Sequence, residues 1–142
     1  MAYWLFKTEP GNWSWEDHKK TGDRGHPVKR SRNHLANKNM KTMVKGDKGF
    51  FYHSVNEKRI VGIVEVVKEH YPDETDPTGR FGVVDVIPLQ DVPNPVTLKD
   101  IRGEPECEDM VLVNNSRLSI QPVKEKEWNI VCKMAGVDPA SL

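Results

Sequence analysis

The alternation of apolar and polar positions predicts mainly β-strands. Residues 2–7 form an apolar, aromatic run that ends at a Glu-Pro-Gly turn, which indicates a buried strand. Residues 60–67 are the most strand-like in the chain because β-branched side chains dominate there. Three more strands are predicted at residues 49–54, 80–87 and 118–123, and residues 56–58 form the expected hairpin tip before the 60–67 strand.

Helical periodicity is confined to shorter stretches. Ser14 followed by Asp17 resembles a capping box, which predicts a short helix from there to Lys20. A stripe of apolar residues at helical spacing predicts a second helix over residues 33–44: Leu35, Ala36, Met40 and Met43. The remaining helices are predicted at residues 97–102, 106–111 and 124–135, the last of them ending at Gly136.

Two segments are predicted to lack regular structure. Residues 21–31 have no periodicity and indicate an exposed basic loop, and prolines 88, 93 and 95 are expected to interrupt any strand. The resulting order of elements predicts an α+β fold, with a curled mixed sheet or small barrel of about five or six strands flanked by helices. The 142 residues suit one domain spanning residues 1–142.

Composition excludes several classes of protein. No apolar run approaches the ~18 residues of a membrane span, and the first residues lack a secretory signal, so neither a membrane nor an exported location is expected. Cys107 and Cys132 are too few for a disulfide framework. No spacing typical of a metal site, a dinucleotide site or a phosphate-binding glycine loop is present, so neither a metal nor a cofactor is predicted. The expected location is the cytoplasm, or the nucleus in a eukaryote.

The net charge of zero conceals a basic segment. Residues 18–48 carry ten Lys or Arg against two acids, whereas the other residues carry eleven bases and nineteen acids. Such a segment can supply phosphate contacts, and four of its residues are the candidates: Lys29, Arg30, Lys38 and Lys41. From charge alone, a solvated surface is the commoner explanation of this pattern.

Polar residues at the ends of two predicted strands lie next to aromatic residues. They are Lys7, Thr8 and Glu9 at the end of the first strand, and His53 and Ser54 at the end of the 49–54 strand. Hydrogen-bonding groups beside an aromatic surface are what recognition of an unstacked base requires. His53 and Ser54 are neighbours on a strand and therefore point to opposite faces, so they cannot form one Ser-His nucleophilic site. With no other catalytic constellation, the chain is not predicted to be an enzyme.

Several motifs, in one order, carry a resemblance to a known family. They are YWLFKTEP at residues 3–10, SW at 14–15, RNxxAxxN at 32–39, FYHS at 51–54 and RLSIQPV at 117–123. Over essentially its whole length the chain resembles the EVE domain family. The resemblance implies a PUA-like fold, a small mixed β-barrel with helices around it. It also implies a non-catalytic module that recognises a modified base of DNA or RNA in a pocket beside the barrel.

The resemblance also implies which residues form that pocket. They are Lys7, Thr8, Glu9, Trp15, Arg32, Asn33, Asn39, Tyr52, His53, Ser54, Arg117 and Gln121. Trp15 would be a stacking wall, and Arg32 and Asn33 would approach phosphate or base. One departure is Val28, which stands where the family usually has Trp.

Two alternative functions remain open at this point. The same pocket would suit a free nucleoside or another small molecule, and an enzyme that processes RNA or nucleosides is a further alternative. Phosphate contacts make the binding affinity fall steeply as the salt concentration rises, so salt dependence distinguishes a nucleic-acid ligand from a small molecule. If the protein is a nucleic-acid-binding module, we expect it to be a monomer. The expected protein partner is a nuclease or a helicase.

Overall fold

The computed structural model describes residues 2–27, 33–115 and 117–142. The strands of these residues are β1 (Tyr3–Thr8), β2 (His26–Pro27), β3 (Lys48–His53), β4 (Arg59–Pro72), β5 (Gly82–Thr97) and β6 (Ile120–Val123). The α-helices are α1 (Trp15–Lys19), α2 (His34–Thr42), α3 (Leu98–Arg102), α4 (Val111–Asn114) and α5 (Glu125–Ala135). Single turns of 3-10 helix lie at Gly22–Arg24, Pro105–Cys107 and Pro139–Ser141.

The strands form one mixed sheet in the order β2-β5-β4-β3-β1-β6. β1 and β3 are parallel, and the other neighbours are antiparallel. The predicted α+β class and the number of strands are confirmed. Among the described residues the sheet is open, with β2 and β6 at its two edges, so it is not the closed barrel that the resemblance implied.

The predicted ends of several helices are confirmed. Ser14 and Asp17 form the capping box of α1, and the side chain of Asn33 accepts a hydrogen bond from the Ala36 N–H at the start of α2. Gly136, with a φ of 77°, ends α5 in the left-handed conformation that glycine adopts without strain.

The expectation that three prolines interrupt the structure is wrong. β5 continues past prolines 88, 93 and 95 because its pairing with β4 shifts register at several points. Between Asp91 and Val96 no residue of β5 has a partner in β4, so the two prolines there remove no ladder hydrogen bond. The helix predicted at residues 106–111 is also wrong, since a 3-10 turn ends at Cys107 and α4 begins only at Val111. The predicted loop at residues 21–31 contains a 3-10 turn and β2 in its described part.

The sheet separates two hydrophobic clusters. On one face Leu5, Phe50 and Tyr52 pack under α5, where the ring of Trp128 stacks on Phe50 with the centroids 4.2 Å apart. The opposite face holds the alternate residues of the same strands, Trp4, Phe6 and Phe51, covered by Trp15 of α1 and Met40 of α2. Successive residues of β1 and β3 therefore face opposite sides of the sheet, and this alternation determines which polar side chains at the strand ends face which side.

Candidate functional site

An open cavity of about 790 Å³ lies where β1 and β3 end. The two strands run parallel with Lys7 opposite Tyr52, so their polar ends lie side by side. The N–H and the hydroxyl of Ser54 both donate to the carbonyl of Thr8, at 2.8 and 3.1 Å. The N–H of Lys7 donates to the carbonyl of Ser119 at 2.9 Å, which brings the segment before β6 to the same edge.

Four parts of the chain, distant in sequence, surround this cavity. They are the end of β1, the β3–β4 hairpin, the region of α3, and the segment from α4 to β6. The lining residues are Lys7, Glu9, Tyr52, Ser54, Val55, Asn56, Glu57, Lys58, Thr97, Leu98, Lys99, Arg102, Leu112, Arg117 and Ser119.

Buried side chains contribute aromatic and apolar surface to this lining. Tyr52 is 2% exposed and Leu112 is 1% exposed. The Lys7 ammonium lies over the ring of Tyr52, 5.6 Å from its centroid, and burial lowers the pKa of Lys7. Burial raises the pKa of Tyr52 to about 12, against the opposing charge of Arg102. Among the hydrogen bonds of the described residues, none involves the Tyr52 hydroxyl, so this donor remains available to a ligand.

The charge around the cavity is predominantly positive. Five Lys or Arg line it against two carboxylates, and both carboxylates have protein partners. Glu57 bonds to His53 and Arg59, and Glu9 accepts from the amide of Asn12. Four of the cations are exposed and form no ion pair within the described ranges, and we call them the cationic rim: Lys58, Lys99, Arg102 and Arg117.

Comparison with known proteins identifies the family. The EVE domain model matches residues 2–134.

The chain belongs to the EVE domain family.

Chicken thymocyte nuclear protein 1 is 31% identical to it, over 97% of this chain and 70% of its own length. A protein from Agrobacterium tumefaciens with a known crystal structure is 44% identical in sequence to this chain. The match covers 98% of this chain and 96% of the Agrobacterium chain, and the two structures superpose with a TM-score of 0.93. The structure of human THYN1 protein in complex with 5-methylcytosine-containing DNA is 28% identical, covers 98% and 100% of the two chains, and has a TM-score of 0.88. A YTH domain from Zygosaccharomyces rouxii is 17% identical, covers 96% of this chain and 88% of its own, and shares the fold with a TM-score of 0.56.

Five of the residues predicted for the pocket line the cavity of this EVE domain. They are Lys7, Glu9, Tyr52, Ser54 and Arg117. The structure thus brings together the ends of β1 and β3 and the segment before β6.

Trp15, predicted as a stacking wall, lies instead in the core of the EVE domain. It is 4% exposed, and its ring packs on Gly62, where a Cβ atom would come within 2.3 Å of the indole. Its indole N–H donates to Asp91 at 2.7 Å. Thr8 is also buried on this face, with no hydrogen-bond partner for its hydroxyl among the described residues.

His53 is a structural residue on the face opposite the cavity. Its Nε2 accepts the backbone N–H of Trp15 at 2.9 Å, and its Nδ1 lies 3.0 Å from a carboxylate oxygen of Glu57. Ser54 lines the cavity whereas His53 does not, which confirms that the two residues point to opposite faces.

Three other predicted pocket residues bond to the backbone within the fold. Asn33 caps α2, and the amide of Asn39 donates to the carbonyl of Ile120 at 2.9 Å. The amide of Gln121 donates to the carbonyls of Leu118 and Asn115, at 2.7 and 3.2 Å. None of the three lines the cavity.

The predicted phosphate contacts fall in two groups. Lys38 and Lys41 are exposed on α2 and do not line the cavity. Lys29 and Arg30 lie outside the described residues, as do Arg32 and Val28.

The contribution of α3 was not predicted. Lys99 and Arg102 are three residues apart on a predicted helix, a spacing that places both on one side of it. Nothing in the sequence, however, indicates that this side meets the end of β1 and the hairpin carrying Lys58.

Two further classes of feature are absent from the described part of the chain. No group of three His, Cys, Asp or Glu is arranged to hold a metal ion. Nor is any helix of these residues long and apolar enough to span a membrane.

Proposed function

We propose that this EVE domain is a non-catalytic module that binds nucleic acid and holds a modified base in the cavity at the ends of β1 and β3. The observation that carries the proposal is the combination of buried aromatic and apolar surface with a rim of exposed cations in one open cavity. The human THYN1 protein in complex with 5-methylcytosine-containing DNA supports it from within the family.

The lining of the cavity offers the contacts that an unstacked base requires. Tyr52 and Leu112 present aromatic and apolar surface, where stacking contributes ~1–3 kcal/mol per base. Lys7 and the Tyr52 hydroxyl can donate hydrogen bonds to base oxygens or ring nitrogens, and the carboxylate of Glu9 can accept from an exocyclic amino group such as that of cytosine. An added methyl group would find apolar surface at Leu112.

The cationic rim suits the phosphate backbone of a polymer. Each phosphate neutralised on double-stranded DNA contributes about −0.9 to the slope of log affinity against log salt. If all four rim residues contact phosphates, the slope is about −3.6. A free nucleoside engages none of these contacts, so the rim favours a polymer over a small molecule as the ligand.

The environment of His53 favours binding over catalysis. Both ring nitrogens of His53 are engaged within the fold, one by a backbone N–H and the other by Glu57. The hydroxyl of Ser54, which does line the cavity, donates to the carbonyl of Thr8. A nucleophile needs a base within hydrogen-bond reach, and these two residues do not provide that pair.

The test is a titration of the purified protein with short labelled oligonucleotides, single- and double-stranded, in DNA and RNA. Each carries 5-methylcytosine, 5-hydroxymethylcytosine, N6-methyladenine or no modification, and each is measured at two salt concentrations. We expect one modified oligonucleotide to bind at least tenfold (~1.4 kcal/mol) more tightly than its plain counterpart, with affinity falling as salt rises. Equal affinity for plain and modified oligonucleotides would contradict base recognition. Equal affinity for the free nucleoside, independent of salt, would identify a small-molecule binder instead.

A further inference from the structure

The β3–β4 hairpin presents an exposed apolar side chain beside the cavity. Four large hydrophobic residues are exposed among the described residues: Leu35, Val44, Val55 and Leu89. Val55 is the most exposed of these four, at 53%, and the one that lines the cavity. Exposed single apolar residues are common on proteins, so exposure alone does not assign a role to Val55.

The backbone at Val55 is the second observation. Its φ of 71° lies in the left-handed region, which β-branched residues rarely adopt because their Cβ substituents crowd the backbone. Glycine or asparagine would occupy this turn with less strain. Strained conformations of this kind cluster at functional sites, where the surrounding structure holds them in place.

Hydrogen bonds hold the hairpin on both sides of the strained residue. Ser54 donates twice to the carbonyl of Thr8, and the carbonyl of Lys58 accepts from the N–H of Leu98 at 2.8 Å. Glu57 connects His53 with Arg59 behind the tip. The turn is therefore fixed at its base, and the side chain of Val55 is held outward on a supported hairpin.

We propose that Val55 is a wedge that enters the base stack of a duplex when the neighbouring base is held in the cavity. This inference rests on the proposed function, because a base can enter the cavity from a duplex only by leaving the stack. The gap left behind is apolar on both sides, and inserted aliphatic side chains are a common means of filling or opening a base step. Lys58, in the same turn, lies on the cationic rim and would hold the adjoining backbone.

The test compares duplex with single-stranded DNA of one sequence, because a wedge has a gap to fill only in the duplex. Val55→Asn removes the apolar side chain with a residue that tolerates the left-handed conformation. We expect the ratio of the duplex Kd to the single-strand Kd to rise about fivefold or more in this variant. With 2-aminopurine next to the modified base, fluorescence should increase when the wild-type protein binds the duplex, and increase less with the variant.

Val44→Asn is the matched control, because Val44 is 50% exposed but does not line the cavity. It should leave the Kd ratio unchanged. Val55→Gly, which also accepts the positive φ, gives a second variant should Val55→Asn unfold. An unchanged Kd ratio in the folded Val55 variants would overturn the wedge while base recognition on single strands stands. No preference of the wild-type protein for any modified oligonucleotide, single- or double-stranded, would overturn the cavity proposal and the wedge with it.

Discussion

The backbone N–H of Trp15 donates a 2.9 Å hydrogen bond to Nε2 of His53. Because Nε2 accepts this bond, the proton of the neutral ring lies on Nδ1, which donates to Glu57 at 3.0 Å. His53 therefore connects the start of α1 to the hairpin that carries one wall of the cavity. The family motif FYHS thus places a structural residue between two that line the cavity, Tyr52 and Ser54.

Replacement of His53 should destabilise the fold. His53→Ala leaves the buried N–H of Trp15 without its acceptor and should lower the free energy of unfolding by about 2–4 kcal/mol, measured by urea denaturation. Glu57→Gln is the control, since it keeps a hydrogen-bond acceptor for Nδ1 and should cost about 1 kcal/mol or less. Long-range nitrogen–proton NMR spectra should show the Nδ1–H form of His53. An Nε2–H form would contradict the hydrogen bonding described above.

The close packing of Trp15 on Gly62 gives a second prediction. A Cβ at position 62 would lie 2.3 Å from the indole ring, which must then move within a packed core. Gly62→Ala should lower the free energy of unfolding by about 1–3 kcal/mol. Gly11→Ala is the control, because a Cβ at Gly11 meets nothing within 4 Å and should change stability little. Equal stability of the two variants would show that Trp15 does not pack where the structure places it.

Buried His18 should make stability depend on pH. His18 is 1% exposed, and its Nδ1 accepts from the indole N–H of Trp13 at 3.1 Å. Burial, together with the charge of His26, lowers the pKa of His18 from 6.5 to about 4. The carbonyl of Val86 favours the charged ring, but it does not reach hydrogen-bond geometry with Nε2 and burial outweighs it.

Between pH 6.5 and about 4, His18 is therefore protonated in the unfolded chain but neutral in the folded protein. The stability from this residue is complete above the unfolded pKa and is lost as the pH falls through that window, by about 3 kcal/mol in total. Denaturation across pH should show a shallower loss in His18→Gln than in the wild type. His34→Gln, at an exposed position on α2, should keep the wild-type slope. The same slope in all three proteins would contradict a depressed pKa at His18.

The cationic rim predicts a specific effect on salt dependence. Arg102→Gln and Lys99→Gln should each weaken binding of plain and modified duplex alike and reduce the salt slope by about 0.9. Lys38→Gln and Lys41→Gln test the contacts predicted from the basic segment, and since neither residue lines the cavity, both should leave the slope unchanged. If the α2 variants change the slope and the α3 variants do not, the nucleic acid lies on α2 and not at the cavity.

The strand faces and helix ends could be predicted because they depend on local patterns. Alternation placed Tyr52 and His53 on opposite faces, and the capping box at Ser14 positioned α1. The contribution of α3 could not be predicted, because its position depends on how far β5 continues past its prolines, and local propensity argues against that continuation. That Trp15 points into the core also depends on a tertiary contact, the space left by Gly62, 47 positions away in the sequence.

The most direct measurement is of intermolecular nuclear Overhauser effects from a methylated base. The probe is a DNA oligonucleotide containing one 5-methylcytosine, the modification present in the DNA bound by human THYN1 protein. If the base occupies the cavity, its 5-methyl protons should show contacts to the methyl groups of Leu112 and the ring of Tyr52. Contacts to Trp13 and His26, whose stacked rings lie 4.0 Å apart outside the cavity lining, would contradict the proposed site and place the base there.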